Sequence, residues 1–203
     1  MEKEHIYEQT YTDYLSRIAG LELPFVADKL GIKFDSQHVI IPYFDKLYRI
    51  SAKGISDPLN RQPQLSVSVI LCKYLLMCPM IEPLAGNWMS YKDFKDAAPL
   101  IRAFYNTVTH PIAETFSGRL AELEAAGRKI GGYLPADHYS YDLEMQFDAL
   151  PTLPVLLLFN DKDAEFPAQC SVLFEKRAEK FLDMECLAMV GMLFAEYLKA
   201  GAG

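Results

Sequence analysis

Apolar and polar positions recur along this chain with two different periods, and the change from one to the other marks its elements. From His5 to Ala19, the residues Ile6, Tyr7, Tyr11, Tyr14, Leu15 and Ile18 fall at helical spacing, and Gly20 follows where such a helix stops. Pro24 near a first turn and Gly31 after Leu30 bracket a second, short helix. Val39 to Ile41 and Leu47 to Ile50 flank Tyr43, Phe44, Asp45 and Lys46, which predicts a β-hairpin. Ser51 to Gln62 reads as loop, rich in Gly, Pro, Asn and Ser. A buried helix begins at Pro63 or Gln64, takes in the apolar run from Val67 and ends at Pro79 and Pro83, because proline cannot donate to the helical ladder.

Gly86 to Ser90 reads as a connection, and Ser90 with Asp93 matches a capping box that would start a helical region to about Thr107, interrupted before Pro99. His110 and Pro111 open another helix, with Ile112, Phe116, Leu120 and Leu123 inward and Gly127 as its stop. Gly131 and Gly132 form a flexible bend. Tyr139 to Phe147 then alternates with the period of a half-buried strand, whereas Leu153 to Phe159 is apolar throughout, as in a strand covered on both faces. The short link Ala149 to Thr152 pairs these two antiparallel. The acidic turn from Asn160 to Pro167 opens a helix begun by Pro167, and a last helix is capped by Asp183. The expected fold is α+β, a single domain over residues 1–203, with an antiparallel sheet of about four to five strands and helices packed mostly on one face.

Composition narrows the function classes. With 51% apolar residues a substantial core is expected. Against 20 Lys and Arg stand 27 Asp and Glu, and the formal charge of -7 has the wrong sign for nucleic acid or an anionic membrane as partner. The run from Val67 to Ile81 is broken by Ser68, Lys73 and Pro79, short of the roughly 18 apolar residues of a membrane span. Glu2, Lys3, Glu4 and His5 do not resemble a secretory signal, so a cytoplasmic location is expected. Cys72, Cys78, Cys170 and Cys186 include no C-x-x-C pair and read as buried free thiols.

Candidate chemistry concentrates in the acidic turn. Asp161, Asp163 and Glu165 alternate directly after a strand, and three carboxylates on one loop suit Mg²⁺ or Ca²⁺. The competing structural reading is that these acids interact with the positive end of a helix started by Pro167. His110 and His138 lack a zinc-type partner at the spacing metal sites need. Neither a G-x-S-x-G elbow nor a phosphate-binding glycine motif occurs. Tyr43, Phe44 and Tyr48 with Arg49 and Lys53 suggest a pocket for a flat or anionic ligand, although hairpin aromatics more often pack a core.

Gly131 and Gly132, Asp137 to Phe147, Leu153 to Phe159 and the following Asp163 to Ala168 with Val172 to Phe174 resemble an uncharacterised family of bacterial and archaeal anaerobes, domain of unknown function 3786. Ile41 to Phe44 and Trp88, Ser90, Tyr91 and Phe94 extend the resemblance to nearly the whole chain. Some members carry this domain behind an iron-sulphur cluster domain of the type found in corrinoid proteins. The resemblance therefore implies iron-sulphur or corrinoid proteins as partners and leaves cofactor and catalytic residues unassigned. This chain has no N-terminal cysteine cluster of that kind. Three function classes follow: a binding or accessory module linked to metallocofactor and one-carbon metabolism, with ligand contacts from Tyr43, Arg49, His138, Asp163 and Glu165; a metal-assisted hydrolase using Asp161, Asp163 and Glu165, with His138 as base; or a structural partner-binding domain that dimerises through the exposed part of Met184 to Leu198.

Overall fold

Helix α1 (Glu2–Ala19) leads into α2 (Leu23–Leu30), which ends where Gly31 takes the left-handed conformation (φ 64°) that a helix terminus uses. The computed structural model describes residues 2–202, with side chains from residue 9 onward. The expected inward positions Ile6 and Tyr7 lie outside the described side chains. A four-stranded antiparallel meander follows: β1 (Lys33–Asp35), β2 (His38–Tyr43), β3 (Lys46–Ser51) and β4 (Gly54–Ser56). Its central hairpin is the one the alternation predicts, with Ile41 opposite Tyr48 and Val39 opposite Ile50 on the buried face. The outer strands lie in segments too short to show a period; β4 falls inside the expected loop.

Helix α3 (Leu65–Leu76) is buried through most of its length, as the apolar run implies. Strand β5 (Trp88–Ser90) replaces the expected connection, and Ser90 makes no side-chain cap, since a short 3-10 turn follows in place of a capping box. From residue 101 to 116 the backbone stays helical through α4 (Ile101–Phe104), a π-helical segment (Tyr105–Thr109) and α5 (His110–Phe116). Helix α6 (Leu120–Lys129) passes through Gly127 without stopping there; the glycine serves packing instead, since it faces Met145 and Phe147 with no room for a side chain.

The second sheet is also antiparallel and runs in the order β5-β8-β7-β6, from β6 (Leu143–Leu150), β7 (Leu153–Asn160) and β8 (Gln169–Glu175). Tyr139 and Tyr141 precede β6, so the expected strand starts later and runs to Leu150. All but the last residue of β7 are buried. The fold is therefore α+β, as the sequence implies, with strands divided between two sheets of four. Where the sequence predicts a helix from Pro167 there is instead β8: proline with an acidic turn suits a strand connection as well as a helix start, and the apolar Val172 to Phe174 pairs with β7.

Helix α7 (Met184–Gly201) joins the two sheets. Its Phe194 stacks on Phe44 of the hairpin turn (5.8 Å) and meets Phe147 of β6 edge-on (4.8 Å). The Phe44 N–H also donates to the carbonyl of Ala149 in β6 (3.0 Å). Buried residues from both sheets and every helix form one apolar cluster. Most of α7 is interior, and between Met184 and Leu198 only Glu185 and Glu196 are exposed. Among the described residues no helix is long and apolar enough to cross a membrane.

Asp183 caps α7 as expected: its Oδ1 accepts from Cys186 N–H (2.9 Å), and its Oδ2 meets Lys73 Nζ of α3 (2.6 Å). Desolvation alone would raise this carboxyl, but the Lys73 ammonium and the Cys186 N–H outweigh it and hold it below its usual value. Its stabilising effect is complete above the unfolded carboxyl pKa of about 3.9 and is lost as pH falls through the lower folded value. Lys73, raised by the same pair against its own desolvation, loses its effect only as pH rises through its elevated value. Asp183→Ala is expected to cost about 0.5–2 kcal/mol from the cap. Asp183→Asn, which keeps a capping oxygen, is expected to cost less. Urea unfolding at neutral pH checks both, and the deficit of each should shrink in strong acid.

Candidate functional site

Three loops meet at one end of the second sheet because their side chains satisfy one another's backbone. After β7, Asp161 Oδ1 accepts from Gly118 N–H (2.6 Å) in the turn between α5 and α6, and from its neighbour Lys162 N–H (2.7 Å). Asp161 N–H donates to Asp142 Oδ2 (2.8 Å), and Asp142 N–H donates to Asn160 Oδ1 (3.3 Å). Asp163 Oδ1 accepts from Glu165 N–H and Phe166 N–H (both 2.7 Å), and these bonds hold its carboxyl below the usual range. Glu165 is exposed at the tip. Asp161 and Asp163 thus spend oxygens on the loop's own N–H groups. Among the described residues no three His, Cys, Asp or Glu side chains gather closely enough to hold a metal ion. The segment after Pro167 is strand, so these acids have no helix start to stabilise.

Beside this loop lies a groove of about 750 Å³. One wall is the outer side of the 101–116 helix, with Tyr105, Thr109, His110, Glu114 and Ser117; the other is the start of β8, with Gln169, Cys170 and Ser171. The helix widens here because Pro111 has no N–H to give and its ring would crowd the carbonyl one turn back. Threonine hydroxyls take up carbonyls along this stretch, Thr107 Oγ1 to Ala103 O (2.7 Å) and Thr109 Oγ1 to Tyr105 O (3.4 Å). The His110 ring lies 5.6 Å from the Tyr105 ring, and its Nδ1 is 3.9 Å from Glu114 Oε2. Burial pushes the Cys170 thiol well above its ordinary range, so it stands in the wall as a neutral, weakly nucleophilic group.

The strand wall is incomplete. Strand β7 pairs with β8 from Gln169 to Phe174, but on the opposite edge β5 covers only Leu173, Phe174 and Glu175. The chain leaves that edge at Tyr91, whose ring stacks on Phe104 (4.3 Å) and whose hydroxyl donates to Met184 O (2.7 Å). Among the described residues, Gln169 to Val172 therefore have backbone groups without a strand partner on the groove side.

The other residues singled out by sequence lie elsewhere. Tyr43 is 0% exposed, its hydroxyl has no hydrogen-bond partner among the described residues, and burial pushes its phenol well up. Its ring packs edge-on against Phe44 and Tyr197, while Arg49 points out from the opposite face of β3. Tyr43 and Arg49 do not face a common pocket. His138, its side chain 79% exposed, meets Glu144 through Nδ1 (3.1 Å). Glu144 Oε1 also accepts from Tyr139 N–H (2.9 Å) and Tyr141 N–H (3.0 Å). Desolvation opposes the charge on Glu144, but these three donors lower its carboxyl all the same. Sequence reasoning misses Glu144 and Glu114. The signal available for the groove was Pro111 set inside a helical stretch.

In comparisons with known proteins, a family model described as Domain of unknown function (DUF3786) matches residues 22–197. No curated protein and no solved structure matches the chain.

Proposed function

The chain belongs to the family Domain of unknown function (DUF3786), and on that premise we propose that it is a cytoplasmic, single-domain binding or accessory module whose working surface is the groove between the 101–116 helix and β8. The observation that carries this reading is the coincidence of a cavity of about 750 Å³, a π-helical segment and an unpaired strand edge at one place. Such helical widenings are enriched at functional sites, and a cavity of roughly 300–1,000 Å³ is the usual size for a bound organic ligand. The polar groups that converge there, Glu114, His110 and Thr109, would orient a ligand. Burial keeps the Cys170 thiol of the wall neutral and so disfavours it as a nucleophile. Asp163 and Glu165 lie four and two residues before Pro167, the first groove residue of the loop, and would flank a ligand held there. The family resemblance supports iron-sulphur or corrinoid proteins as partners in one-carbon metabolism.

Filling the groove tests the reading. Ala113 lines it from the helix, and Ala113→Trp should occupy the space without entering the core. Calorimetric titration of both forms against corrinoids, folates, divalent metals and corrinoid iron-sulphur proteins is expected to find a ligand whose affinity falls at least tenfold in the variant. Equal affinity in the two forms would place binding elsewhere and overturn the assignment.

A further inference from the structure

We propose that the groove receives an extended, basic segment of a partner polypeptide, which adds to β8 as the strand that β5 leaves out. This rests on the groove being the working surface. Gln169 to Val172 offer about 13 Å of strand edge, and in an antiparallel sheet alternate residues direct both N–H and C=O outward from it. A bare edge of this kind is a template for one class of occupant, another extended main chain, since only that presents donors and acceptors at the matching repeat. The new strand would continue the line of β5, whose own pairing with Leu173 to Glu175 is already antiparallel.

Charge selects among extended segments. Glu114 stands in the helical wall, and Asp161, Asp163 and Glu165 outnumber Lys162 in the loop at the groove's end. Arg119, in the same turn as Gly118, is engaged by Glu122 and does not offset them. A lysine- or arginine-bearing strand therefore meets complementary carboxylates, and an acidic one is repelled.

The test uses the full chain and three synthetic peptides of equal length: alternating valine and lysine, the same sequence N-methylated at alternate residues, and alternating valine and glutamate. Amide chemical shifts and hydrogen exchange are followed during titration. The expected result is a shift of Gln169 to Val172 and His110 to Ser117 with slowed exchange at the β8 amides. The N-methylated and glutamate peptides should bind at least tenfold more weakly. Equal binding of the N-methylated peptide, shifts confined to other residues, or no response to the lysine peptide would each overturn strand addition. If a small ligand still titrates the groove in that case, only this inference falls; if Ala113→Trp also leaves every ligand unaffected, the groove reading falls with it.

Discussion

Phe194→Ala is expected to destabilise the protein by about 3–5 kcal/mol, the range for removing a large aromatic from a filled core. The residue is fully buried, and its ring touches the hairpin turn of one sheet and a strand of the other through Phe44 and Phe147. Its loss therefore opens a cavity at the seam between the sheets, where neither layer can collapse without displacing the other. In thermal unfolding the deficit should lower the midpoint by roughly 6–20 °C for a chain of this size. Phe166→Ala is the matched control: that ring is 60% exposed on the β7–β8 loop, and its removal should stay within about 0.5 kcal/mol. Similar losses for the two substitutions would contradict the role of α7 as the joint.

Gly132→Ala is expected to cost about 1–3 kcal/mol, the usual range for overpacking. A methyl group there would lie 2.5 Å from the Phe147 ring, 2.7 Å from the Met145 methyl and 2.8 Å from the Gly127 carbonyl oxygen. The methionine can swing aside, but the carbonyl already accepts the Gly132 N–H (2.9 Å) and belongs to the helix backbone. Relief therefore requires α6 to move relative to β6. Denaturant unfolding checks this, and a lower midpoint with an unchanged slope is the expected form of the loss. The bend that reads as flexible in the sequence is a close contact between helix and sheet.

The hairpin at Phe44, the buried helix after Gln64 and the pairing of Leu143 to Leu150 with Leu153 to Asn160 are all legible in the sequence, because each is local and carries its own period. Strand β8 is not, because Gln169 to Glu175 has one face half-buried and its partner is chosen by the sheet, so its apolar spacing fits helix and strand alike. The short strands β1, β4 and β5, of three residues each, exist only through their neighbours. The candidate site follows the same division. The acidic turn is visible as a cluster of carboxylates, but which of them are taken up by backbone N–H groups depends on Gly118 and Asp142, both distant in sequence. Tyr43 and Arg49 look like neighbours on a hairpin, and the alternation that makes the hairpin is what separates them.

Residue-resolved amide hydrogen exchange across Gln169 to Glu175 tests most directly whether the acidic turn leads into a half-covered strand bordering a groove. The structure predicts that Leu173 and Phe174 exchange slowly, held between β7 and β5, while Gln169 to Val172 alternate between slow and fast because only one edge is paired. Uniformly slow exchange from Gln169 onward, as in a helix or a fully covered strand, would contradict the bare edge and remove the groove's second wall.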